Sequence, residues 1–271
     1  MTKELTLTDY EFNPDIILAS GQVFRMYRED NIYTALSGCN EIKFYRTGMN
    51  KYEFFCADNQ WDFWMNYFDF QTDYSIMNNA IEKSDDTFLK KALERSCGMR
   101  ILRQDLWETF ISYIVSQNNN IPKIKKSLKT LCDRYSDGYA FPSAEVLAFV
   151  PTEELESGTA LGYRAAYISE FSQKINTREL SLDDFIGLDY ETAIQMLTSI
   201  KGIGPKVANC IALYGLHIMD AYPIDTWMKK IISEDYSHMN MTEYMNYLHS
   251  SYAGFEGYVQ QLQFYYKRQI K

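Results

Sequence analysis

"SIKGIGPKVANC", residues 199–210, sets Gly-Ile-Gly-Pro-Lys between two apolar runs. A Gly-x-Gly opening onto a helix suggests a dinucleotide loop, but that fingerprint needs a third glycine, and Val207 stands in its place. The nucleotide-cofactor reading is weak. The preceding "YETAIQMLTSI" reads as a helix ending near Ile200, residues 201–204 as a turn, and Pro205 as the first position of a second helix, where a missing N–H is tolerated. The stretch is therefore a helix-hairpin-helix. Gly202 and Gly204 let backbone amides approach a phosphate without side-chain hindrance, and the second helix aims its partial positive end the same way. A DNA backbone is the natural guest, although such a hairpin also serves as an ordinary helix connection.

Lys206 falls in the first turn of the second helix. The helix dipole and partial burial both disfavour an ammonium there, and a neutral amine is a nucleophile. An exposed lysine gripping phosphate is the equal alternative. "AYPIDTWMKKII" supplies Asp225 downstream, behind a proline loop and at the start of another helix, where it also reads as an N-cap.

The 271 residues suffice for one large domain or two of ordinary size, and a 46% hydrophobic content suffices for packed cores. A net charge of -9 at pH 7 argues against a generic polyanion binder, so any nucleic-acid role needs a local basic face. The five cysteines (Cys39, Cys56, Cys97, Cys132, Cys210) are odd in number, scattered and without a C-x-x-C, which indicates reduced thiols. The three histidines (His217, His238, His249) match no zinc-ligand spacing, so no metal is expected. The opening "MTKELTLTDYEF" has no apolar core of a signal peptide, and no run approaches the roughly 18 apolar residues of a spanning helix. A soluble, cytoplasmic protein is expected, with no membrane partner.

Between residues 23 and 56, "VFRMY", "IYTAL", "IKFYR" and "YEFFC" are separated by "REDN", "SGCN" and "TGMN". Turn residues at this spacing, with β-branched and aromatic content between them, predict an antiparallel sheet. After about Trp61 the period changes. Ile124, Leu128, Leu131 and Tyr135 keep helical spacing, as do Leu106, Phe110 and Ile114 before them. The expected class is α+β: a sheet-bearing segment over residues 1–97, then a mainly helical domain over 98–271.

Six segments in order resemble the 8-oxoguanine DNA glycosylases, within the helix-hairpin-helix, Gly/Pro-rich loop, Asp superfamily of base-excision enzymes. They are "SGQVFR" (20–25), "SQNNNIPKI" (116–124), "LGYRAAYIS" (161–169), the hairpin, "YPIDTW" (222–227) and "GYVQQLQF" (257–264). The resemblance covers nearly the whole chain. It implies a bifunctional glycosylase and apurinic-site lyase acting on double-stranded DNA that contains 8-oxoguanine, and working as a monomer. Lys206 would attack the sugar C1′, Asp225 would support it, and a Schiff base would lead to β-elimination of the 3′ phosphate. Because Cys210 is the last cysteine, the four-cysteine cluster of the iron-sulfur branches is missing. The resemblance thus implies no required cofactor, with a possible monovalent cation at the hairpin.

The same resemblance assigns the recognition residues. Asn118 would fill the vacated base stack, Tyr163 would wedge beside the estranged cytosine, and Arg164 would read it. The carbonyl of Gly21 would accept from the N7–H of the oxidised base, Gln260 would bond its pairing edge, and Phe264 and Cys210 would cover its two faces. Without the resemblance, "NNN" is a polar turn, "GYR" a capped helix end, and Phe264 and Cys210 core residues. Two positions depart from the family pattern. Lys123 replaces an arginine that helps read cytosine, which puts strict cytosine choice in doubt, and Trp227 replaces a phosphate-contacting histidine. The basic face is sought among Lys123, Lys125, Lys126, Lys129 and Arg134, with Lys125 and Lys129 also readable as a merely solvated face. A same-fold glycosylase for another lesion and a non-catalytic hairpin module are the alternatives.

Overall fold

A computed structural model gives the arrangement of residues 1–270. The period-two segments form one antiparallel sheet: β1 (Thr2–Thr6), β2 (Met26–Glu29), β3 (Ile32–Ser37), β4 (Asn40–Gly48) and β5 (Lys51–Phe55), ordered β1-β5-β4-β3-β2. Alternation puts Tyr33, Ala35, Ile42, Phe44, Tyr52 and Phe54 on one buried face. Phe44 stacks on Tyr33 at 5.1 Å and on Phe54 at 5.0 Å, and α2 (Trp61–Tyr67) closes this core with Trp64 and Tyr67. Two elements were not expected, β1 and the short α1 (Pro14–Ala19), which Asn13 caps through its side chain.

The strand expected at "VFRMY" begins only at Met26. Residues 23–25 instead stitch the molecule together. Val23 enters the sheet core, Phe24 enters a second, helical core, and the Arg25 guanidinium turns inward to Glu108 at 2.8 Å.

The second core is built by α3 (Ser75–Lys83), α4 (Thr87–Arg95), α5 (Leu106–Ser116), α6 (Ile121–Tyr135), α7 (Ala144–Phe149), α8 (Thr152–Thr159), α9 (Arg164–Asn176), α10 (Tyr190–Ser199), α11 (Pro205–Tyr214), α12 (Thr226–Asp235), α13 (Met241–Tyr252) and α14 (Glu256–Gln269). Side-chain caps start many of them, with Asp86, Asp105, Asn120, Asp189, Asp225 and Asn240 each accepting from a first-turn amide. The cores are not divided at residue 97. α3 and α4 send Met77, Ile81, Leu89 and Leu93 into the helical core, while Leu102 belongs to the sheet core. Central to the helical core are α5 and α11, apolar nearly all round, which meet where Tyr113 stacks on Tyr214 at 5.4 Å.

A polar hub joins sheet and helices. Asp69, almost fully buried, accepts from Arg103 Nε at 2.7 Å, Thr72 Oγ1 at 2.8 Å and the Tyr74 hydroxyl at 2.9 Å, with His217 Nε2 at 3.4 Å. Burial pushes its carboxyl up, but these partners outweigh burial and hold it at about 2. At Glu108 burial wins over Arg25 and lifts the carboxyl to about 7.

Candidate active site

The hairpin folds as its punctuation dictates. α10 ends at Ser199, Ile203 N donates to Ile200 O at 3.0 Å across the turn, and Pro205 opens α11 behind Gly204. Gly202 has φ +87°, and a Cβ there would lie 2.4 Å from Tyr167 Cγ, so position 202 is closed to side chains both by backbone and by space. Gly204 caps α11 without a side-chain acceptor and faces open space, which leaves the first amides of α11 free for an anion.

Asn209, one turn beyond Lys206, is a buried clamp that sequence reasoning missed. Its Nδ2 donates to Pro205 O at 2.9 Å, and its Oδ1 accepts from Tyr222 N at 3.0 Å and the Tyr190 hydroxyl at 3.1 Å. One amide thus fixes the start of the Lys206 helix against the loop that leads to Asp225. No local spacing signals such a role, because its three partners come from three separate segments.

Lys206 and Asp225 line the same two contiguous cavities, an outer one of about 350 Å³ and an inner recess of about 50 Å³. The outer volume falls within the roughly 300–1,000 Å³ of ligand pockets. Asp225 Oδ1 caps α12 by accepting from Met228 N at 2.9 Å, while Oδ2 has no hydrogen-bond donor among the described residues. Lys206 Nζ lies 5.5 Å from the Tyr113 ring centroid and beside the Cys210 thiol. Among the described residues no ion pair within 4.0 Å joins Lys206 to Asp225, although both line the same cavity. Burial raises the Cys210 thiol above its ordinary range, and the neighbouring lysine opposes this only partly.

All four residues expected at the base gather here, since Gly21, Cys210, Gln260 and Phe264 line the inner recess with Lys206 and Asp225. Gly21 takes φ +84°, and its Cβ position would lie 3.4 Å from Phe264 Cε1. The carbonyls on either side of it are engaged: Ser20 O accepts from Gln261 Nε2 at 3.0 Å, and Gln22 O accepts from Gln104 Nε2 at 2.8 Å and the Tyr113 hydroxyl at 3.1 Å. The Gly21 carbonyl accepts none among the described residues, so it is held rigidly and left unused. Gln260 is 4% exposed, and its Oε1 is buried without a partner. A buried orphan carbonyl beside a cavity is an acceptor waiting for a ligand donor.

The expected opposite-strand residues also converge. The exposed Asn118, at φ +46°, donates from Nδ2 to the Tyr163 hydroxyl at 3.3 Å. Arg164 lies over the Tyr163 ring at 4.7 Å and donates to the carbonyls of Gln117, Asn118 and Leu161, tying the two loops together. Lys123 is exposed in the first turn of α6, and Trp227 lines the outer cavity with Lys230 over its ring at 5.8 Å. The basic stripe is narrower than its sequence. Lys125 folds back onto Met26 O at 3.4 Å and Lys129 pairs with Asp133 at 2.6 Å, whereas Lys123 and Lys126 stay exposed. No cluster of three or more His, Cys, Asp or Glu side chains fit to hold a metal occurs among the described residues, and the cysteines are free thiols. No helix among them is long and apolar enough to cross a membrane.

Known proteins match this arrangement along its whole length. The N-terminal domain of 8-oxoguanine DNA glycosylases matches residues 4–110, and the HhH-GPD superfamily of base excision DNA repair proteins matches residues 111–250. The N-glycosylase/DNA lyase of Saccharomyces cerevisiae is 36% identical over 180 residues, covering 59% of this chain and 47% of that protein, so the chain spans about half the length of that relative. Among solved structures, MBOgg1 in complex with a low-affinity DNA ligand superposes with a TM-score of 0.91 at 31% identity, covering 99% of this chain and 96% of that one. The Clostridium acetobutylicum 8-oxoguanine glycosylase/lyase, bound to double-stranded DNA with cytosine opposite 8-oxoG, superposes with a TM-score of 0.88 at 28% identity, covering 100% and 98%. The chain belongs to the HhH-GPD superfamily of base-excision DNA repair proteins, in its 8-oxoguanine DNA glycosylase branch.

Proposed function

We propose that this protein is a bifunctional DNA glycosylase and lyase that removes 8-oxoguanine from double-stranded DNA. The observation that carries the reading is the orphan carbonyl of Gln260 in a recess lined also by one amine, one carboxylate and Gly21, whose carbonyl accepts no hydrogen bond among the described residues. A purine swung out of the duplex brings the matching groups: the pairing edge of 8-oxoguanine donates to Gln260, and its N7–H donates to Gly21. Ordinary guanine presents a lone pair at N7. Leaving the Gly21 acceptor unpaired costs about 1–3 kcal/mol, a discrimination of up to about a hundredfold. Phe264 and Cys210 supply the two apolar walls.

In the chemical step Lys206 Nζ bonds to C1′ as the N-glycosidic bond breaks, and the base leaves with the bonding electron pair and takes up a proton. Positive charge develops on the sugar, and Asp225 Oδ2 stabilises it. Ring opening gives a Schiff base on Lys206, after which loss of a C2′ proton expels the 3′ phosphate. The hairpin amides and exposed Lys123 and Lys126 hold the backbone, Trp227 borders the mouth of the cavity, and Asn118, Tyr163 and Arg164 meet the gap and the opposite cytosine. A monovalent cation at the hairpin fits the same reading, because the carbonyls of Lys201 and Ile203 accept no hydrogen bond among the described residues. The protein would work in the cytoplasm, on the chromosome, as a monomer.

Chromatography of the free bases released from duplex with 8-oxoguanine opposite cytosine tests the assignment. Release of 8-oxoguanine, with far less guanine from the undamaged duplex, is expected; no release, or release of a different lesion in preference, overturns it.

A further inference from the structure

Along α14, Gln260, Phe264 and Arg268 recur at every fourth residue and so share one face. Their depth changes in order. Gln260 is buried in the inner recess, Phe264 lines both cavities, and Arg268 lines only the outer one, half-exposed at its mouth. Eight residues of helix span about 12 Å. The Arg268 guanidinium lies over the Phe264 ring at 5.1 Å and makes a single long hydrogen bond, from one terminal nitrogen to Ala19 O at 3.4 Å. Its remaining donors have no partner among the described residues. Burial lowers its pKa and the nearby Asp225 carboxylate raises it, yet no ion pair within 4.0 Å joins the two. Besides Lys206, it is the one cation lining the outer cavity among the described residues.

An extruded nucleotide has the same order, with its base deepest, the sugar midway and a phosphate at the rim. We infer that Arg268 binds a backbone phosphate of the extruded nucleotide, making α14 a ruler that meets the base with the Gln260 amide and the Phe264 ring, and the phosphate with the Arg268 guanidinium. The inference rests on the proposed use of this cavity for the flipped nucleotide. A guanidinium suits the task because its fork matches two phosphate oxygens at once, and the ring beneath it fixes its plane. The contact forms only when a nucleotide is out of the stack, so its effect belongs to damaged DNA.

The salt dependence of binding isolates that contact, since each phosphate neutralised adds about 0.9 to the slope of log K against log salt. Anisotropy titrations over a salt series, on duplex with an uncleavable abasic analogue and on undamaged duplex, compare wild type with Arg268→Ala and Arg268→Lys. For Arg268→Ala the slope on damaged duplex should fall by about 0.9 and affinity about tenfold, with little change on undamaged duplex. Arg268→Lys should keep the slope. An unchanged slope for Arg268→Ala, or an equal loss on both duplexes, overturns the inference. Borohydride trapping of the wild type on cleavable lesion duplex reports separately on Lys206, so failure of the catalytic reading and failure of this one are told apart.

Discussion

Asp225 divides one carboxylate between two tasks, with Oδ1 capping α12 at Met228 N and Oδ2 left to the cavity. Asparagine caps a helix about as well as aspartate but carries no charge. Asp225→Asn should therefore keep its melting temperature and its affinity for lesion duplex while single-turnover excision falls at least about a hundredfold; unchanged turnover reduces Asp225 to a cap. Gln260 sets stability against function. Gln260→Leu removes an unpaired buried acceptor, so stability should hold or rise by up to about 1 kcal/mol, while binding to lesion duplex weakens about tenfold. Melting curves beside binding titrations check both, and a loss of stability without a loss of binding contradicts the role. Lys206 and Asp225 were legible in the sequence because a hairpin and a proline loop mark them locally. Gly21, Cys210, Gln260 and Phe264 were legible only by resemblance, since each alone reads as turn or core. Asn209 and Arg268 were not legible, because their meaning lies in partners and depth supplied by distant segments.

The hairpin is the element on which the site depends, and its turn tolerates little. Gly202→Ala combines a left-handed backbone with a Cβ overlapping the Tyr167 ring, so a destabilisation of about 2–4 kcal/mol is expected, with weaker binding to any duplex. Thermal melts and a titration with undamaged DNA measure it; a variant as stable as wild type means the turn is not built on this contact. Elements with strong local signals were readable: the hairpin by glycine and proline, α6 by its apolar period, three of the strands by their turns. Those set by tertiary partners were not. β1 has five mostly exposed residues and exists because β5 pairs with it, and α1 has only six residues. "VFRMY" has strand composition, yet Arg25 leaves the pattern to meet Glu108.

At the scale of the whole molecule, the sheet and the helical core are locked by Asp69 and its partners. The folded pKa of Asp69, about 2, lies below the ordinary 3.8, so its contribution is complete above about pH 4 and is lost as pH falls toward 2. That contribution is about 2 kcal/mol. Denaturant titrations at pH 7, 4 and 2 should show Asp69→Asn less stable at pH 7 and less sensitive to the final acid step; an acid limb parallel to wild type contradicts the assignment. A net charge of -9 disfavours attraction of DNA to the surface as a whole, so the proposed DNA contact depends on local cations such as Lys123, Lys126 and Arg268. What the cavity is for rests on one amine. The most direct measurement is borohydride reduction of the protein on duplex with 8-oxoguanine opposite cytosine, followed by peptide mapping of the adduct. A covalent protein–DNA species linked through Lys206, and lost in Lys206→Gln, is expected; no adduct with wild type, or one undiminished in Lys206→Gln, contradicts covalent catalysis at this site.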